Sequence, residues 1–207
     1  MAEDTRGIEW ARKIQAIAQA GLTYTKNVYD LERYEELRAL SVEMMAAYSG
    51  LEIEQVAGLF ANEIGYATPK VDVRGVVIQD GRMLFVKEVT DGCWSLPGGW
   101  ADIGLSPREN VVKEIKEESG YEVTPVRLLA ALDRNLHPHT PLAYHVYKLF
   151  ILCELTGGEA KASIETSEIG FFSEDELPPL SVDRVTESQV RMLFKRVRES
   201  AAETVFD

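Results

Sequence analysis

Glu114, Glu117 and Glu118 lie at i, i+3 and i+4 of the segment Ser106–Gly120, a spacing that sets three carboxylates on one face of a helix. Oxygen-only donors in such a group suit a hard divalent cation such as Mg²⁺ or Mn²⁺, and a cation held there could bridge diphosphate oxygens and acidify a bound water. On the opposite face, Val111, Val112 and Ile115 can anchor the helix in a core. Taken without its surroundings, a run such as Lys113–Glu118 is more often a solvated helix face, so the flanking residues decide its meaning.

Those flanks are informative. Ser106, Pro107 and Glu109 supply an N-cap, a first-turn proline and a capping-box acid, and Gly120 supplies a stop, which predicts a helix over roughly 107–119. Before it, Trp94-Ser95-Leu96-Pro97-Gly98-Gly99-Trp100 reads as a strand end opening into a loop whose glycines let backbone approach a ligand closely.

Loop and helix together resemble the signature of the Nudix hydrolases: a glycine, five residues, Glu, seven residues, then Arg-Glu-aliphatic-x-Glu-Glu-x-Gly and an apolar residue. Gly99, Glu114, Ile115, Glu117, Glu118, Gly120 and Tyr121 fall in register, while Leu105 stands where the pattern has its first Glu and Lys113 where it has Arg. In the family those two positions orient the loop and the metal ligands, a role Lys113 can keep in part as a point charge. The resemblance covers the chain from about residue 70 to the end. It implies an α+β fold, a Nudix-type α/β/α sandwich with a mixed sheet. It also implies a cation held by Glu114, Glu117, Glu118 and the Gly98 carbonyl, and catalysis by Glu117 and Glu118 with Lys113.

The general base of such enzymes comes either from the signature helix or from a loop elsewhere. Glu165 is the preferred loop acid, as a fourth metal-site acid or as the base, with Glu168 beside it on the substrate side. Arg134, His137 and His139 around Pro138, and Trp100 at the end of the glycine loop, are further candidates for contact with phosphate or base, although exposed loop polarity explains the first three as well. Tyr24, Tyr29 and Tyr34 could box a quaternary ammonium, a role less common for aromatics at helical spacing than a place in the core.

The remaining chain has to position this unit. Residues 1–67 read as a small all-helical domain: Trp10, Ile14 and Ile17, then Leu31, Tyr34, Leu37, Met44, Met45 and Tyr48, recur at helical spacing, as core or as a dimer seam. Asp30 is the expected N-cap and Gly50 the expected stop of the second helix, and a third carries Ile53, Val56, Leu59 and Phe60 before Gly65. After Pro69 the period changes: 71–79 and 82–89 flank Asp80-Gly81 as a hairpin, strands follow near 123–133, 142–155 and 168–173, and a last helix bears Val190, Leu193, Phe194 and Val197. The second domain is thus expected over 70–207.

A helical domain preceding such a box, with the wording Gly-Trp-Ala-Asp-Ile-Gly-Leu-Ser-Pro, resembles a bacterial subgroup of CDP-choline and ADP-ribose pyrophosphatases. The resemblance implies a metal-dependent pyrophosphohydrolase that cleaves a nucleoside diphosphate linked to X into a monophosphate and phospho-X, CDP-choline ahead of ADP-ribose. Nucleotide sugars, dinucleotides and RNA ends are alternative substrates, and a non-catalytic nucleotide sensor is a different class of reading. A net charge of −12 argues against a general nucleic-acid or anionic-membrane binder, and the helical region lacks a basic recognition helix, so no DNA binding is expected. Only Cys93 and Cys153 occur, with no secretory leader and no long apolar run, which points to a cytoplasmic protein without a membrane anchor. A homodimer is expected from the family and from the apolar N-terminal helices.

Overall fold

Asp80 and Gly81 both adopt positive φ, 50° and 75°, as a two-residue turn of primed type requires. They reverse the chain between β1 (Lys70–Gln79) and β2 (Arg82–Glu88). In this computed structural model, residues 2–61, 63–199 and 203–207 are described. Internal contacts divide the chain into two units, the residues up to Pro69 with Pro141–His145, and Lys70–Thr140 with Val146–Asp207.

The second unit carries the hairpin into a mixed sheet with β3 (Trp94–Ser95), β4 (Gly98–Trp100), β5 (Tyr121–Asp133), β6 (Val146–Gly158), β7 (Thr166–Phe172) and β8 (Val205–Phe206). Strand order is β3-β2-β1-β6-β5-β8, with β4 also paired to β1 and β7 to β2. β1 runs parallel to β6, β8 runs parallel to β5, and the other pairs are antiparallel. A helix covers each face, α4 (Pro107–Ser119) on one and α5 (Glu187–Arg198) on the other.

Each cover has its own core. Val111 and Ile115 of α4 are fully buried against Val73, Val77, Leu84 and Ile151. Val190, Leu193 and Phe194 of α5 pack on Val76, Phe85, Leu132 and Phe150. Because β1 is covered on both sides, residues 72–77 are buried without a break, and the charged Asp72 and Arg74 are buried along with the apolar residues. Burying two branched side chains of α4 is worth roughly 1.5–3 kcal/mol each, which anchors the acidic helix by its far face.

The ends of α4 follow from its sequence. Ser106 caps the Glu109 amide, Glu109 returns a bond to the Ser106 amide at 2.8 Å, and Gly120 closes the helix in the left-handed region at φ 78°.

In the helical unit, α1 (Ala2–Tyr24), α2 (Val28–Ser49) and α3 (Ile53–Phe60) enclose Ile8, Ala11, Val42, Met45, Val56 and Ala61. Three details depart from the sequence reading. Asn27, not Asp30, caps α2 by accepting from the Tyr29 amide, while Asp30 lies in the first turn and pairs with Arg33 at 2.8 Å. The inner face of α1 is Ile8, Ala11, Gln15 and Ala18, so Trp10 and Ile17 stand on the surface, 50% and 59% exposed. Residues 141–145 do not begin a strand: Ala143 packs on the helical core and the Tyr144 hydroxyl donates to the Leu59 carbonyl, so β6 starts only at Val146.

Candidate active site

Glu118 is the most enclosed of the three helix glutamates, 5% exposed, and its Oε2 accepts a 2.8 Å hydrogen bond from the Gly98 amide. The glycine is required there: φ is 143°, and a Cβ would stand 2.0 Å from the Val73 carbonyl oxygen. Gly99 meets Glu114 in the same way, since a Cβ on it would lie 3.2 Å from Glu114 Oε2. The glycine loop therefore sits directly on the acidic face of α4, with Gly98 and Gly99 paired to Arg74 and Val73 of β1.

The electrostatics are uneven along the helix. Burial pushes the Glu118 carboxyl up to about 8, with Glu88 and Glu114 adding like charge and Arg74 opposing them. Burial also raises Glu114. Glu117, at the surface, pairs with Lys113 Nζ at 2.9 Å. The same ammonium reaches Asp102 at 3.2 Å and Glu114 at 3.5 Å, and the Glu117 and Asp102 hydrogen bonds raise its pKa. Lys113 thus ties the loop to the helix. Leu105, at the other departing position, is partly exposed and its backbone serves the Asn110 side chain.

Three charged neighbours escaped the sequence reading because they lie on strands distant in sequence. Arg74, fully buried on β1, clamps Asp72 with bonds of 2.8 and 2.9 Å and donates to Ser95 Oγ and the Leu96 carbonyl, steadying the entrance of the glycine loop. Lys148 of β6 completes the cluster at 3.0 Å from Asp72. Glu88, the last residue of β2, is 4% exposed, with Arg184 Nε 2.9 Å from its Oε1. A charged residue ending an apolar strand was the signal available for Glu88, and no spacing rule joins it to α4.

The other candidates are placed as follows. Glu165 is exposed at the entrance of β7; its carbonyl accepts from the Val89 amide at 2.9 Å and its carboxylate acts electrostatically on Glu88, so it belongs to the acidic neighbourhood. Glu168 instead pairs with Lys87 at 2.7 Å across the β2–β7 ladder. Arg134 is buried and its Nη2 donates to the Asp183 carbonyl at 3.3 Å, while His137 Nε2 lies 3.1 Å from Asp207 Oδ2. His139 Nδ1 donates to the Val182 carbonyl at 2.6 Å, and burial lowers its pKa to about 4, keeping the ring neutral at pH 7. These contacts tie residues 134–139 to Val182, Asp183 and Asp207. Trp100 is half exposed on β4 beside the glycine loop. Tyr34 packs over Gly21, and Tyr24 and Tyr29 lie open on the helical unit.

Among the described residues, no three His, Cys, Asp or Glu side chains already converge as a metal-holding group; Lys113 engages the oxygens of Glu114 and Glu117. The donor chemistry still fits a hard divalent cation. The available ligands are all oxygens, and burial, with the like charge of Glu88 and Glu114, penalises the ionised form of Glu118, a penalty that a cation would relieve.

Comparison with known proteins decides what this site belongs to. The model of the NUDIX domain matches residues 68–193, more than half of the chain. The chain belongs to the Nudix family. Residues 6–60 of this Nudix hydrolase match a second model, the UDP-X-like, N-terminal oligomerisation domain. The hydrolase is 56% identical over 203 residues to the putative ADP-ribose pyrophosphatase YjhB of Bacillus subtilis (strain 168), covering 98% of both chains. Among solved structures, a UDP-X diphosphatase is similar over 99% of each chain at 34% identity and a TM-score of 0.65. An ADP-ribose pyrophosphatase from Streptococcus suis is 45% identical, with a TM-score of 0.63, over 68% of this chain and 100% of its own. Nudix hydrolases use divalent metal ions, in agreement with the oxygen donors of this site.

Proposed function

We propose that this Nudix hydrolase is a Mg²⁺-dependent pyrophosphohydrolase of a nucleoside diphosphate linked to X, with ADP-ribose as its first substrate. The observation that carries the reaction class is the Gly98 amide holding the buried Glu118 carboxylate beside Glu114, under a glycine loop that can approach a ligand closely. The choice of substrate leans on the full-length relative named as a putative ADP-ribose pyrophosphatase and on the Streptococcus suis structure of that name. CDP-choline, favoured by the subgroup resemblance of the sequence, is the second substrate to test.

When bound, Mg²⁺ would neutralise diphosphate oxygens and lower the pKa of the attacking water. Glu114, Glu117 and Glu118 would hold it, with the Gly98 carbonyl as a further ligand and Lys113 keeping Glu117 oriented. Glu165 takes the proton from the water as its oxygen bonds to phosphorus, and the bridging oxygen leaves with the other half, giving a nucleoside monophosphate and phospho-X. Trp100, half exposed beside the glycine loop, is the candidate contact for the nucleobase, Arg134, His137 and His139 are the phosphate-side candidates, and Glu168 is a further substrate-side candidate. A homodimer built through the helical unit and a cytoplasmic location complete the proposal. They draw support from the oligomerisation-domain match and the two free cysteines, and no described helix is long and apolar enough to cross a membrane.

Mass spectrometry of products from ADP-ribose, CDP-choline, UDP-sugars and dinucleotides with Mg²⁺ tests the assignment beside a Glu117→Gln/Glu118→Gln control. AMP with ribose 5-phosphate from wild type alone is expected. CMP with phosphocholine as the preferred products would move the substrate to CDP-choline, and tight nucleotide binding without turnover would leave a sensor. Glu165→Gln with unchanged turnover would remove Glu165 from the mechanism.

A further inference from the structure

We propose that Glu88, at the end of β2, is a fourth carboxylate of the divalent-cation site, contributed from outside the signature helix. The inference rests on the metal-site reading above and extends it to a residue on a different element.

The backbone brings Glu88 to the site from the end of β2, through its pairing with β7. In the β2–β7 ladder Glu88 pairs with Thr166, after a register shift between Lys87 and Glu88 that re-aims the last residue of the strand. The hydroxyl of that same Thr166 donates to the Glu118 carbonyl at 2.6 Å. The next residue of β2, Val89, donates to the Glu165 carbonyl at 2.9 Å. Backbone pairing thus sets Glu88 beside Glu165 and Thr166, and the Thr166 hydroxyl ties this stretch to the backbone of Glu118; Glu88 and Glu118 are buried. Glu88 also lies within electrostatic reach of the Glu118 and Glu165 carboxylates.

The carboxylate itself carries the second argument. Glu88 is 4% exposed, yet its buried Oε1 accepts no hydrogen bond. Arg184 Nε stands 2.9 Å away as an ion pair, but the hydrogen bonds of this guanidinium go to Ser181 Oγ and Thr90 Oγ1, each at 3.2 Å. Arg184 offsets part of the charge and leaves the Oε1 lone pairs unfilled. A buried anionic oxygen without a donor is costly unless something else meets it, and a cation shared with Glu118 is the group that the site chemistry supplies.

Mn²⁺ binding to the full-length protein, followed by electron paramagnetic resonance and calorimetry without substrate, tests this directly. Glu88→Gln is expected to weaken Mn²⁺ binding by about tenfold or more, within the range seen when groups around a metal are removed. Arg184→Gln, which breaks the ion pair but keeps the carboxylate, is expected to retain Mn²⁺ affinity. If Arg184→Gln weakens binding as much as Glu88→Gln does, or if Glu88→Gln binds Mn²⁺ as wild type does, the proposal fails. Should Glu88→Gln not fold, Glu88→Asp, which withdraws the carboxylate by one methylene, takes its place with the same expectation and the same failure. Glu117→Gln/Glu118→Gln separates the two readings. Mn²⁺ binding retained in that variant overturns the metal site as a whole, whereas binding lost there but intact in Glu88→Gln overturns Glu88 alone.

Discussion

Asp72 holds two cations that would otherwise be buried without a counter-charge. Arg74 and Lys148 both close on it, and all three side chains are cut off from solvent. Burial by itself would raise the Asp72 carboxyl, but the charges and hydrogen bonds of Arg74 and Lys148 outweigh it and hold the pKa at about 2, below the ordinary 3.8. Since the unfolded chain takes up this proton first, the stabilisation from Asp72 is whole above pH 3.8 and is lost as pH falls through about 2. Asp72→Asn leaves Arg74 and Lys148 as unpaired buried charges and is expected to cost about 3–5 kcal/mol at pH 7, read by urea denaturation. The variant should also lose the part of the acid transition between pH 4 and 2 that belongs to this group, which a melt series across that range would show.

At the scale of elements, α1 and α2 approach closely enough to exclude a methyl group. A Cβ at Gly21 would stand 2.4 Å from the Tyr34 ring, and one at Gly7 would stand 2.3 Å from Tyr48, two contacts along the same seam. Gly21→Ala favours an isolated helix but forces the pair apart; we expect a net loss of about 1–3 kcal/mol, the usual penalty for overpacking, as a lower melting temperature by circular dichroism. A rise in melting temperature would mean that Tyr34 swings aside freely. By contrast α4 is specified locally at both ends, through Ser106, Glu109 and Gly120, which is why its limits could be read from sequence while the cap of α2 could not. Asn27 and Asp30 are both competent caps, and only the path of the chain out of α1 chooses between them.

For the whole molecule, Trp10 and Ile17 leave the helical unit with an apolar surface that its own core does not use. Light scattering coupled to size exclusion should therefore give twice the 23.2 kDa chain mass at micromolar concentration. A single species of chain mass would overturn the dimer.

What the sequence determined by itself were the local features: the hairpin at Asp80-Gly81, the capped acidic helix with its three glutamates, the glycine loop before it and the change from helical to strand period after Pro69. Each depends on residues within a few positions of one another, so turn chemistry, capping and periodicity suffice. Tertiary structure alone decided the rest. β8 pairs with β5 although its own two residues carry little signal, and residues 141–145 join the helical unit. Arg74, Lys148 and Glu88 come from strands adjacent in space and distant in sequence, and a buried charge is legible only once the groups that bury and pair it are assembled.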